Sequence, residues 1–161
     1  QDADLTGWPE PEAAVIRGEL WSRAGDWSKL QALDTPLSEV AAGSMLYPEA
    51  ARLRATWRLA SRDSARGWEA VELIDVLIAR DQNPWDLLLR AEGAGLSGRT
   101  DYAWASLSRM SSSMKRASNR KQLAKRALKL ARRLPPGDSS DMTMRRLKAQ
   151  ALEGSATGKP R

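Results

Sequence analysis

The chain has 161 residues and a net charge of +6, with 26 Lys and Arg against 20 Asp and Glu. It contains neither His nor Cys, which excludes disulfides, thiolate chemistry and zinc-finger sites and removes the commonest catalytic bases, nucleophiles and transition-metal ligands. With seven Trp, two Tyr and no Phe, the core must be packed by Leu, Ala and Trp, which favours helices. The composition therefore predicts a non-enzymatic protein with no catalytic residues, cofactor or metal.

The sequence predicts a lead-in, one domain and a tail. Residues 1–11 contain two prolines and are expected to be extended. Residues 12–153 are expected to form a single helical-repeat domain, and residues 154–161 a C-terminal tail. The first residue is Gln1 rather than Met, as a removed secretory signal peptide would leave it. Export, for example to the periplasm, is one expectation, and a cytoplasmic location is the alternative.

Apolar residues at helical spacing predict four helices in the first part of the domain. The first covers residues 12–24 and ends at a glycine. Asp26 is expected to cap a second short helix that stops near Pro36. A third is expected over residues 37–46, and Pro48 suits the first turn of the fourth.

Three further helices follow, each with a start signal. Asp63 is a cap for the fifth, and Asn83 followed by Pro84 is a stronger start for the sixth. The glycines within residues 93–98 spell a dinucleotide-binding fingerprint, but that motif needs a preceding strand, so we predict an inter-helix turn instead. Thr100 is expected to cap the seventh helix.

Two more helices complete the domain. The eighth is expected over residues 118–134 and is halted by Pro-Pro-Gly at 135–137. Asp138 or Ser139 is expected to cap the last one. No period-two alternation or hairpin signal is present, so the predicted fold is all-α, with short loops between antiparallel helices.

Three stretches share a small residue, a glycine turn or helix-start signal, and an apolar return. They are residues 18–30, 65–84 and 91–107. The layout resembles the tetratricopeptide repeat, a helix–turn–helix of about 34 residues, and the resemblance covers residues 12–134. The steps from Trp27 to Trp68 and from Gly67 to Gly98 are 41 and 31 residues, which leaves an irregular helical bundle as the alternative. The resemblance implies a short solenoid of stacked helix pairs that displays a surface for other proteins.

Charge divides the chain in two. Residues 1–101 hold 11 basic and 17 acidic side chains, whereas residues 102–161 hold 15 basic and three acidic ones. Nine basic residues lie between 115 and 133 and are our main candidates for partner binding. They are Lys115, Arg116, Arg120, Lys121, Lys125, Arg126, Lys129, Arg132 and Arg133. We expected no internal counter-ions for them, and such a row favours an anionic partner.

An acidic protein surface is the expected partner, either on another protein or on residues 1–101 of another copy. Nucleic acid is the alternative, because counterion release would favour it, although no reader motif or stacking platform accompanies the basic row. A solvated helix face with no partner is the plain interpretation. The predicted function is an adaptor or accessory subunit of a larger assembly, with a basic nucleic-acid-binding protein and a helical accessory domain of an enzyme complex as alternatives.

The tryptophans fall into two groups. Trp8 and Trp85 lie beside prolines at chain or helix entries and are candidate interface anchors, or else hydrophobic staples at a helix start. Four others lie on apolar helix faces and are expected in the core: Trp21, Trp57, Trp68 and Trp104. No run approaches the roughly 18 apolar residues of a membrane span.

Overall fold

The computed structural model describes residues 9–114 and 119–152, and within these ranges every regular element is helical. The helices in chain order are α1 (Glu10–Ala24), α2 (Trp27–Ala32), α3 (Asp34–Ser38), α4 (Tyr47–Ala60), α5 (Ser64–Ile78), α6 (Pro84–Leu96), α7 (Thr100–Ser113), α8 (Arg120–Ala131) and α9 (Ser140–Leu152). Helices that follow one another in the chain pack as antiparallel pairs, which stack in order as a short solenoid. The predicted all-α fold is confirmed.

Helix starts follow the local capping chemistry. The side chains of Asp26 and Asp63 each accept the backbone N–H three residues on, at 3.2 and 2.9 Å. Asn83 accepts the N–H of Trp85 at 2.9 Å, and Pro84 occupies the first turn of α6. These contacts satisfy N–H groups that a helix cannot bond internally, which is why these three starts were predictable from sequence.

Other helix boundaries differ from the predictions. The structure starts α1 at Glu10, two residues earlier than expected, because a proline in the first turn needs no N–H partner. The same reason places Pro36 inside α3, so the helix predicted over residues 37–46 is wrong: residues 39–46 form turns. Thr100 is the first residue of α7 rather than its cap.

The basic helix α8 is shorter than predicted. It begins at Arg120 and ends at Ala131, whereas the expected range was 118–134, whose first residue lies outside the described part of the chain. Backbone N–H groups of residues 132–134 bond to carbonyls in the last turn and tighten the chain before Pro135.

Buried side chains form two main clusters that meet at α4. The N-terminal cluster comes from α1–α4 and comprises Ala14, Val15, Leu30, Leu33, Leu37, Val40, Ala50, Leu53 and Trp57. The main cluster comes from α4–α9 and includes Ile74, Leu87 to Leu89, Leu107, Met110 and Leu147. Helix α4 serves both because Leu53 and Trp57 face one cluster while Ala51 and Ala55 face the other.

Burial of the tryptophans was predicted correctly for two of four. Trp57 and Trp104 are 7% and 4% exposed, and the indole N–H of Trp104 donates to a backbone carbonyl at 2.7 Å. Trp21 and Trp68 are only half-buried, so their assignment to the core is wrong. The outer side of Trp68 is covered by the guanidinium of Arg99, 3.8 Å from the ring centre, because no further helix packs there.

Ion pairs join the first helices of successive pairs. Arg52 of α4 donates two hydrogen bonds to Asp86 of α6, at 2.7 and 2.9 Å, and Asp86 is 1% exposed. Arg126 of α8 likewise donates two bonds of 2.6 Å to Glu92 of α6. Both pairs link residues 34 apart.

The glycine turn predicted over residues 93–98 is also wrong in part. Gly93 lies inside α6, where a Cβ atom would come within 2.6 Å of the carbonyl oxygen of Gly67 in α5. Only Gly98 is in the left-handed conformation, with φ of 73°, and it ends the helix. Gly67 and Gly93 have no side chain, so the backbones of α5 and α6 can come into contact where the two helices cross.

We expect Gly93→Ala to lower the free energy of unfolding by about 2–4 kcal/mol, because the added methyl group meets backbone atoms that cannot move aside. The matched control is Gly95→Ala, since a Cβ there meets only the flexible ends of Leu134 and Leu130. That variant should be neutral or gain up to about 1 kcal/mol from helix propensity. Urea unfolding of both variants measures the difference, and equal stabilities would contradict the close crossing.

Asp34 ties the N-terminal helices to α4. Its carboxylate accepts hydrogen bonds from Arg58 at 2.6 and 3.0 Å, from the Trp57 indole at 3.0 Å and from Arg54 at 3.1 Å. Burial alone would raise the pKa of Asp34, but the hydrogen bonds from Arg58, Trp57 and Arg54 outweigh it and lower the pKa from 3.8 to about 2.

The lowered pKa of Asp34 makes the free energy of unfolding depend on pH in the acidic range. A carboxyl group whose pKa is lower in the folded state stabilises the fold fully above its unfolded pKa, and that stability is lost as the pH falls toward the folded value. We expect the contribution of Asp34, about 2 kcal/mol, to be present above pH 3.8 and to disappear near pH 2. Urea unfolding from pH 7 to pH 2 should show Asp34→Asn less stable at pH 7 and less sensitive to acid. Glu39→Gln, at an exposed acid, is the control and should behave like the parent.

Candidate partner-binding groove

Helix α8 divides into a buried side and a charged side. Its apolar residues Leu123, Ala124, Ala127, Leu128 and Ala131 all lie in the core. Five of the other seven positions carry basic residues, as expected from the spacing, and the last two are Gln122 and Leu130. Lys115, Arg116 and Trp8 from the predicted site lie outside the described residues. Arg120, at the start of α8, is half-buried, and Lys121 is exposed.

Arg126 and Trp85, both predicted to bind a partner, contact each other. The Arg126 guanidinium lies 4.8 Å from the centre of the Trp85 ring while its two hydrogen bonds hold Glu92. Trp85 is half-buried and packs on the main cluster. Arg126 therefore finds its counter-ion in another helix, α6, and its planar group pairs and stacks at once.

The other charges of α8 face outward, together with Arg132 and Arg133, which directly follow the helix and are counted here with its basic face. Lys125, Lys129, Arg132 and Arg133 are exposed, and among the described residues none of them makes an ion pair. Their charge is therefore not neutralised by the parts of the fold that the structure describes. Like charges one helical turn apart repel each other. A bound anionic group would reduce this repulsion and would therefore stabilise the face.

A groove of about 650 Å³ lies between the end of α4, the second half of α6 and α8. We call it the basic groove. Its apolar side chains are Leu59, Leu96, Leu130 and Leu134. Its charged side chains are Arg62, Lys129, Arg133 and the paired Arg126 and Glu92. The groove thus combines aliphatic contact area with three cations that have no carboxylate bound to them in the described chain.

Arg62 was missed by the sequence analysis. It follows α4, 58 positions before the first residue of the basic helix, and only the stacking of α4, α6 and α8 brings it to the same groove. One sequence signal was present: the turn after α4 has an arginine where the turns after α1 and α6 have a glycine.

Acidic residues of the first part of the chain are largely used within the fold. Ion pairs bind nine of those between residues 9 and 101: Glu10, Glu19, Asp26, Asp34, Glu49, Glu69, Asp75, Asp86 and Glu92. Most of their partners are arginines from the same region. More than half of the acidic side chains between residues 9 and 101 are therefore ion-paired within the fold, whereas the cations of the basic groove other than Arg126 have no ion pair in the described chain.

Within residues 9–114 and 119–152, no group of carboxylates is arranged to hold a metal ion. No helix within these residues has the length and apolar character needed to cross a membrane.

Comparison of the chain with protein-family models, with curated proteins and with solved structures found no match.

Two adjacent cations of α8 should differ sharply in their effect on stability. Arg126→Ala removes a two-bonded ion pair and uncovers Trp85, so the free energy of unfolding should fall by about 1–2 kcal/mol. Lys125→Ala removes an exposed charge without a described partner and should change stability by less than about 0.5 kcal/mol. Guanidinium unfolding curves measure both, and similar losses would contradict the different roles assigned to the two residues.

Proposed function

We propose that this protein is a non-enzymatic adaptor or accessory subunit that binds an acidic surface of another protein through the basic face of α8. One observation carries the proposal: Lys125, Lys129, Arg132 and Arg133 are exposed and unpaired within the described chain. Nine acidic residues between 9 and 101 are ion-paired within the fold, most of them to arginines of the same region.

The stacking supports a tetratricopeptide-like interpretation. Side-chain contacts link residues 34 apart at two successive interfaces between helix pairs: Arg52 to Asp86 at the first, and Glu92 to Arg126 and Ser112 to Arg146 at the second. This separation agrees with the repeat length of about 34 residues in that family. A stack of this kind presents side chains of its successive first helices along one surface, which suits it to bind other proteins.

Acidic protein is favoured over nucleic acid by the shape of the surface. Among the described residues, the groove is lined by aliphatic side chains and by no aromatic one, and the ring of Trp85 has the guanidinium of Arg126 4.8 Å from its centre. Single-stranded nucleic acid gains much of its affinity from bases stacked on accessible aromatic rings.

The proposal is tested by reversing the exposed charges of α8. The variant Lys125→Glu, Lys129→Glu, Arg132→Glu should remain folded but lose acidic protein partners captured from a nuclease-treated extract at 0.15 M salt. Exposed ion pairs are individually weak, so the loss should be strongest in association rate, and raised salt should imitate it in the parent.

The control carries the same change in net charge on another surface. Arg109→Glu, Arg145→Glu, Lys148→Glu alters exposed residues of α7 and α9 and should keep the captured partners. Sedimentation of the parent and both variants reports whether the acidic partner is a second copy. Capture of nucleic acid alone, lost in the α8 variant, would instead support the nucleic-acid alternative.

A further inference from the structure

We propose that Arg62 is a specificity-determining residue of the basic groove, and that the groove receives an acidic segment of a partner protein that also carries aliphatic side chains. The inference rests on the proposed function and adds a residue from a different helix pair. It follows from the backbone of Arg62, from its place in the groove and from the chemistry of the groove lining.

The backbone of Arg62 is unusual. Its φ is 57°, and it is the one non-glycine residue with positive φ in the described chain. This is the left-handed region, which residues with a side chain rarely adopt. Strained residues of this kind persist where the surrounding structure imposes them, often at binding sites.

The chain itself supplies a comparison. A left-handed residue connects the two helices of three successive pairs: Gly25 after α1, Arg62 after α4 and Gly98 after α6. Glycine, which has no strain there, occupies two of these turns. Of the three, only Arg62 lines the basic groove. The arginine is therefore best explained by what its side chain does and not by the needs of the turn.

Arg62 completes a positively charged border around an apolar surface. Across the groove from α4 lie Lys129 and Arg133 of α8, and Arg62 itself has no ion pair in the described chain. The lone carboxylate lining the groove, Glu92, is bound by both of its oxygens to Arg126. Three available cations and no available acid favour an anionic occupant.

The apolar lining favours a polypeptide occupant. Four leucines, Leu59, Leu96, Leu130 and Leu134, lie between the cations. A free inorganic anion would leave this surface exposed to water, whereas leucine-type side chains of a bound segment would bury it. Glutamate or aspartate residues of the same segment would then lie near the three cations.

Binding is measured by fluorescence anisotropy with labelled peptides of twelve residues at 0.15 M salt. The probe alternates Glu with Leu; one comparison peptide replaces Glu by Gln and the other replaces Leu by Ser. A labelled oligouridine of twelve nucleotides tests the alternative that the groove binds nucleic acid. We expect the Glu and Leu peptide to bind more tightly than all three others.

Three substitutions at Arg62 separate charge from backbone strain. Arg62→Gly and Arg62→Asn remove the cation and suit the left-handed turn, so both should keep or raise the melting temperature. Each should weaken peptide binding about three- to tenfold, as expected for loss of one ion pair at a partly desolvated site. Arg62→Lys keeps a cation and should retain most of the affinity. Arg109→Asn, at an exposed position on α7, is the matched control and should bind like the parent.

The outcomes distinguish this inference from the proposed function. If the α8 charge reversal abolishes peptide binding while Arg62→Gly and Arg62→Asn bind like the parent, the role of Arg62 is refuted and the adaptor proposal stands. If the parent binds oligouridine more tightly than the acidic peptide, both proposals fall. Equal binding of the Leu and Ser peptides would overturn the aliphatic part of the inference.

Discussion

The close crossing of α5 and α6 is the constraint on which the rest of the stack depends. These helices belong to different pairs, and the absence of side chains at Gly67 and Gly93 lets their backbones touch. With α5 and α6 fixed, α6 lies beside α4, and Asp86 is placed where Arg52 can bind it with two hydrogen bonds. Stacking then continues to α8 through Glu92. The basic groove exists because three first helices are held in this order.

Arginine has two roles in this protein. In the first part of the chain, guanidinium groups of arginines bind carboxylates and lie over tryptophan rings. Arg58 does both, with Asp34 and Trp57. Around the groove, arginine and lysine are left exposed. The planar guanidinium can pair and stack together, which explains why tryptophans that are only half-buried are still covered. The net charge of the sequence therefore understates how basic the groove is.

Local chemistry was predictable from the sequence, whereas contacts between distant residues were not. The cap at Asn83 acts on the next turn of chain, so its sequence pattern is enough. Gly93 was placed in a turn because its partner, Gly67, lies in another helix. The acid paired with Arg126 is 34 residues away, and no local pattern indicates it. Arg62 lines the groove only because tertiary packing places the end of α4 beside α6 and α8, which no local sequence pattern indicates.

The separate N-terminal cluster has a consequence for motion. Helices α1–α3 bury side chains mainly among themselves and against one side of α4. Helix α3 has five residues, too few to be stable alone, and depends on the contacts of Asp34 with α4. These three helices therefore form a unit that can open while α4–α9 stay folded. Their amide hydrogens are therefore expected to exchange with solvent at a lower free energy than those of α5 and α6, and the basic groove lies within the unit expected to persist longer.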